Sequence, residues 1–246
     1  MTNLFLYKLK NQFKLLLPIM GISLIVTFFW YLTSLSDNTI MQILAKLLSA
    51  AAFITTFLPL TASVVYSWFD FYNTFFGRRA YLIRTLPFSR GQLFGITLAN
   101  DIFCLILSIL WPVLVLGGTF CLADETGFAE LFLEEWGKFI VLFLVALVCQ
   151  ALFIEQCGFT GGLFGFRMKE SHLPWSVGIG ILTYFVGNLV MTPAIFIYLG
   201  GDVNNPALAE ESISGLLWLI IGVYLVVNLI LLILDLVLVR GRTDVE

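Results

Sequence analysis

Six apolar runs dominate the chain: Leu15–Leu35, Ile43–Phe69, Leu93–Gly118, Phe139–Phe166, Trp175–Leu199 and Leu216–Val239. Each reaches the roughly 20 residues that carry a helix across the hydrocarbon core of a bilayer. A water-soluble core does not absorb that much apolar side chain. Of the 246 residues, 60% are hydrophobic and 12% charged, where an ordinary globular domain has about 25% charged. Lipid offers no partner for backbone N–H and C=O groups, so the spans must be helices. The connections are short and leave nothing for a folded soluble domain. The expectation is an all-α polytopic membrane protein, one transmembrane domain over residues 1–246. The first run is longer than the roughly 7–15 apolar residues of a secretory signal, and no small-x-small cleavage site follows it. It reads as a retained span.

Orientation follows from the cations. With both termini in the cytoplasm, the inner side carries Lys8, Lys10, Lys14, Arg78, Arg79, Arg84, Arg90, Arg167, Lys169, Arg240 and Arg242, which is eleven of the 13 Lys and Arg residues. Lys46 and Lys138 are left outside. The outer loops are acidic, with Glu130, Glu134, Glu135, Asp202 and Glu210 among their residues. The net charge of -3 argues against a nucleic-acid partner.

Three segments outside the runs carry organisation. In residues 2–14, Leu6, Leu9 and Phe13 follow helical spacing while Lys8, Lys10, Asn11, Gln12 and Lys14 supply a polar face. This reads as a short helix lying in the inner headgroup layer, or as a plain extension of the first span. The inner loop 70–92 interleaves Phe71, Phe75, Phe76, Leu82 and Leu86 with Arg78, Arg79, Arg84 and Arg90. Basic residues enforce topology; the aromatics add a docking surface. Thr85-Leu86-Pro87 calls for extended chain, and Ser89 stands three residues before Gln92, the capping-box spacing. A helix ending near Leu86 and a new one beginning after Ser89 are expected. In the outer loop, Phe128, Leu131, Phe132 and Trp136 share a helical face, as a lid or as an interfacial anchor.

Several chemistries are missing. The only Gly-Lys pair, Gly137-Lys138, has no glycine five positions earlier, so no P-loop is present to bind ATP. A single histidine, His172, rules out sites that need two. Cys104, Cys121, Cys149 and Cys157 form no C-x-x-C pair and read as free thiols. The chain is therefore expected to be non-catalytic and to hold no cofactor or metal of its own.

The string from Gly77 to Leu93 resembles the loop between spans two and three in bacterial ABC transporter permeases of the type-2 class. Gly77, Tyr81, Leu82, Leu86, Pro87, Ser89, Arg90 and Gln92 match its pattern. The six-span layout with a leading interfacial helix is similar too. The resemblance implies a permease, in the bacterial plasma membrane, paired with a second permease of the same or a different chain. It implies a coupling helix in this loop that docks a separate ATPase dimer through Phe75, Phe76, Arg78, Arg79, Tyr81, Arg84 and Leu86. ATP and magnesium would then belong to that partner. Permeases of this size resemble exporters of peptides, antimicrobial peptides among them, and of drugs. The short polar loop 200–214 departs from relatives that place apolar re-entrant helices there.

Ionisable groups inside spans are expensive and point to function. Glu155 lies about midway along the fourth run, with Gln150 and Gln156 nearby. These line a substrate path, or they hold helices together by hydrogen bonds. Asp101, beside Asn100, pairs with an inner-loop arginine or faces an inward vestibule. Asp235 reaches headgroups or a cation such as Arg240. Gly158, Gly161, Gly162 and Gly165 crowd the end of the fourth run, and Gly161 with Gly165 gives the G-x-x-x-G spacing of close helix approach. That run, about 42 Å if wholly helical, must tilt, protrude or break. Two other classes stay open: an ion-coupled carrier with Glu155 as the proton site, and a membrane-embedded enzyme.

Overall fold

The computed structural model describes residues 2–36, 38–77, 80, 88–123, 128–167, 172–199 and 209–240; the side chains of 120–136, 196, 197, 199 and 209–212 lie outside that description. Six α-helices account for nearly all of it: α1 (Thr2–Ser34), α2 (Thr39–Phe75), α3 (Arg90–Ala123), α4 (Phe128–Gly165), α5 (His172–Leu199) and α6 (Ala209–Arg240). There is no strand among the described residues. All six helices are long and apolar enough to cross a membrane. The chain is a multi-pass, all-helical membrane protein.

The helices overrun the apolar stretches. At 28 to 38 residues they are about 42–57 Å long, against a hydrocarbon core of about 30 Å. Their ends therefore reach beyond the hydrocarbon. Pro18, Pro59, Pro112 and Pro193 each lie inside a helix, which membrane helices tolerate when local partners take up the freed carbonyl. Hydroxyls are spent in the same local way. Thr97 donates to the Leu93 carbonyl at 3.0 Å and Ser108 to that of Cys104 at 2.8 Å, each one turn back.

Two expectations change. Residues 2–14 are not a separate interfacial helix, because α1 runs unbroken from Thr2 to Ser34. Their polar face is also split: Lys8 and Gln12 are buried while Lys10 and Lys14 are exposed, and Leu6 and Tyr7 are more than half exposed. The reason is that Gln12 finds polar partners on α2 and α3. The expected helix ending near Leu86 lies outside the described residues. The capping box after it is formed: the Ser89 N–H donates to Gln92 Oε1 at 3.0 Å, and the Gln92 N–H donates to Ser89 Oγ at 3.2 Å.

The chain divides into two compact units, Met1–Tyr66 with Ala99–Gly137, and Ser67–Leu98 with Lys138–Glu246. In the first, Leu16, Met20 and Cys104 form the core, with Ala62, Leu107 and Trp111 packed against it. Polar joints sit to either side of that layer along α1. On one side, Gln12 Nε2 donates to Ser63 Oγ at 3.2 Å, and Asn100 Nδ2 donates to Gln12 Oε1 at 2.7 Å. On the other, the Trp111 indole donates to Ser23 Oγ at 2.8 Å.

In the second unit α4 is central. Phe153 and Phe159 are fully buried. Phe153 packs on Tyr184 and Tyr224, and Phe159 stacks on Phe71 with centroids 4.4 Å apart. Gly161 faces the backbone of Ser176 and Gly180, Gly165 faces Ser176, and Gly187 faces the Phe153 ring. Numbers rise on one helix as they fall on the other, so α4 and α5 are antiparallel. Asn228 Nδ2 donates to the Cys149 carbonyl at 2.9 Å, and Thr160 Oγ1 to Asp235 Oδ1 at 2.7 Å. Here both numbers rise together, so α4 and α6 run in the same direction, as spans separated by one crossing must. The glycines do not break α4, which is helical through Gly165; they let α5 approach it.

Candidate functional site

Two groups of residues carry functional expectations: the end of α2 with the start of α3, and the ionisable side chains inside the helices.

At the first, Phe75 and Phe76 are half-buried. Phe75 packs on Phe71 at 4.8 Å and on Phe94 at 6.4 Å, and Phe76 stacks on Phe166 at 3.9 Å with the rings 5° from parallel. These two rings are engaged by their own unit. Phe71, Phe94 and Phe159 form a buried aromatic core beneath them. The remaining expected docking residues, Arg78, Arg79, Tyr81, Arg84 and Leu86, lie outside the described residues. Nearby, an Arg167 guanidinium N–H donates to the Leu238 carbonyl at 3.0 Å, so a cation caps α6 where its last carbonyls lack helical partners.

Inside the helices, Glu155 is 1% exposed on α4. The Trp68 indole donates to the Glu155 backbone carbonyl at 3.1 Å, and its ring lies against Gly158, one turn on. Gln156 is buried, but Gln150 is exposed on another face of α4. The three do not form one lining. Asp235 is fully buried and accepts from Thr160 on α4, not from Arg240, which is exposed. Its second oxygen, Oδ2, has no hydrogen-bond partner among the described residues. Asp101 belongs to the first unit, is fully buried, and has Oδ1 3.5 Å from Asn100 Nδ2. It is thus continuous with the Gln12–Ser63–Asn100 lattice.

Sequence reasoning missed that lattice. Its signal was present: Lys8, Gln12, Leu16 and Met20 recur every fourth residue, and Ser23 and Thr27 continue the stripe. The polar members share a face with core residues, which a surface helix would not show. Chemically, both units hold carboxyl groups in the membrane-spanning part of the fold, where an ionised form needs a cation, a donor or water. Cys104, Cys149 and Cys157 are buried free thiols. Among the described residues, no three His, Cys, Asp or Glu side chains stand together as a metal site would require.

Comparison with protein-family models, with curated proteins and with solved structures finds no match to this chain. What the geometry defines is the broad class: a multi-pass helical membrane protein with buried intramembrane carboxyl groups.

Proposed function

We propose that this chain is the membrane-embedded permease subunit of an ATP-driven transporter of the type-2 ABC class. It sits in a bacterial plasma membrane with both termini in the cytoplasm. It pairs with a second permease and moves a peptide or amphipathic small molecule. ATP and magnesium are bound by a separate ATPase, seated on a coupling helix in the 70–92 loop. The observation that carries the reading is the 77–93 string, with its match at Gly77, Tyr81, Leu82, Leu86, Pro87, Ser89, Arg90 and Gln92. The Ser89–Gln92 capping box starts α3 where that pattern calls for a helix. Arg78, Arg79, Tyr81, Arg84 and Leu86 then carry the docking contact, with Phe75 and Phe76 supporting it from beneath. Glu155, Gln150, Gln156 and Asp101 are each candidates for the substrate path in this reading.

The test is purification of the full chain from native membranes in mild detergent, with identification and assay of what accompanies it. A nucleotide-hydrolysing subunit is expected, and charge reversal at Arg78, Arg79 and Arg84 together is expected to abolish its association while the chain still inserts. Unchanged association of the triple variant overturns the docking claim.

A second reading is favoured by one observation, the full burial of Glu155, Asp101 and Asp235 in spanning helices. An ion-coupled carrier would use such carboxyl groups to bind and release protons. Transport that collapses with the proton gradient and survives ATP depletion selects this alternative.

A further inference from the structure

Gln150 stands where hydrocarbon tolerates an amide poorly. It lies near the middle of the span Gly137–Gly165 and is exposed. Its side chain has no hydrogen-bond partner among the described residues. Lipid tails offer neither donor nor acceptor. The headgroups are about 15 Å away, half of the roughly 30 Å core, which is farther than a side chain reaches by snorkelling. Elsewhere in the chain the remedy is a bond to a neighbouring helix, as Gln12 makes to Ser63 and Asn228 to the Cys149 carbonyl. For Gln150 that helix must come from outside the chain.

The wall of a water-filled path would carry further polar groups beside it. Gln150 instead belongs to the stripe Phe143, Leu147, Gln150 and Ile154, otherwise apolar, with Phe143 exposed and Leu147 and Ile154 half-buried. Steps of four, three and four residues mark the seam of two helices packed along their length, so the stripe is shaped for a helix. A side-chain amide both donates and accepts, which makes it its own complement. A two-fold axis along the bilayer normal sets each residue opposite its copy at the same depth, as no other partner is bound to do. We infer that two copies of this chain meet along this stripe of α4, with the two Gln150 amides hydrogen-bonded to each other. The inference deepens the proposed pairing with a second permease by making the partner identical and naming its face, but it rests only on α4 spanning the membrane. It also takes Gln150 out of the substrate path, because an amide bonded to its own copy is not free to line one.

The experiment measures self-association of the full chain in phospholipid vesicles, by energy transfer between fluorophores at the C-terminus as the protein-to-lipid ratio is varied. The wild type is expected to dimerise. Gln150→Leu keeps the stripe apolar and is expected to weaken the dimer about tenfold, the scale of interhelical hydrogen bonds in a bilayer. Leu225→Ala, at an exposed position on α6, leaves association unchanged. A second measurement needs no loss of stability: oxidation of Gln150→Cys in membranes is expected to join two copies beyond the level given by the native cysteines, and Leu225→Cys is not. A monomeric wild type overturns the inference, as does a dimer that Gln150→Leu leaves at full strength. So does the lack of an added cross-link at Gln150→Cys, which would place another surface, or another protein, at the interface. A preparation that dimerises through Gln150 yet carries no ATPase would strike the transporter reading and leave this interface standing.

Discussion

Gln12 shows how a single side chain is fixed by the medium around it. Its amide both donates and accepts, and it uses the two roles on two different helices, to Ser63 Oγ and from Asn100 Nδ2. All three side chains are buried, so neither partner has water to fall back on. Gln12→Leu fills similar space and removes both bonds, leaving the Asn100 amide buried without this acceptor. Interhelical bonds in bilayers are individually modest, so the expected loss is about 1–2 kcal/mol, read as a lower midpoint of thermal unfolding in detergent. An unchanged midpoint would mean that the lattice contributes no net stability. The same logic separates hydroxyls by what they reach. Thr97 and Ser108 bond one turn back on their own helices, whereas Ser63 and Thr160 bond across to a neighbour. The second kind marks the joints.

At the scale of elements, the α4–α5 seam is the clearest case of sequence setting geometry. A Cβ on Gly161 would stand 2.8 Å from the Gly180 nitrogen and 2.9 Å from its Cα, and backbone cannot rotate away as a side chain can. Gly178, on the same pair of helices, has nothing within 4 Å. Gly161→Leu is expected to cost about 1–3 kcal/mol through overpacking, while Gly178→Leu stays within about 0.5 kcal/mol of wild type. Thermal unfolding of the two variants side by side checks this, and equal midpoints would show that the seam is not tightly packed.

The seam was legible in advance because G-x-x-x-G has few uses in an apolar helix other than close approach. The spans were legible because lipid leaves the backbone no alternative to a helix. Their ends were not, since polar flanks such as residues 2–14 continue a helix as readily as they leave it. The inward turn of Lys8 and Gln12 was hidden for a different reason. A polar residue near a helix end reads as solvated until its partners are known, and the partners of Gln12 lie 51 and 88 residues away. Asp235 was obscured in the same way, because Thr160, 75 residues distant, decides its environment where the neighbouring Arg240 does not. Of the candidate path residues, Glu155 and Gln156 are buried within the unit. Gln150 is exposed on another face of α4, since proximity in sequence is not a shared face on a helix.

For the whole molecule, the distribution of charge gives the sharpest expectation. Eleven of the 13 Lys and Arg residues fall on one side when six spans are threaded through a bilayer, and translocation leaves such residues in the cytoplasm. Reporter fusions at the first and last residues are both expected to read as cytoplasmic. One terminus outside would require an odd number of crossings and would remove one of the six helices from the membrane. The polar residues are buried where helices meet, and the outward faces carry residues such as Phe185, Leu189 and Val226. This distribution makes the bilayer part of the folding problem: the interior is held by a few bonds, and the exterior by the absence of water.

The glycine-lined contact of α4 with α5 has a mechanical corollary. Helices that interlock through bulky side chains must climb over one another to change register. Two rods that meet backbone to backbone, as these do where Gly161 faces Gly180 and Gly165 faces Ser176, have fewer such teeth along that stretch. Along that stretch axial creep of α5 on α4 meets a lower barrier than motion across a ridged contact, until the Phe153 ring seated against Gly187 and Tyr184 stops it.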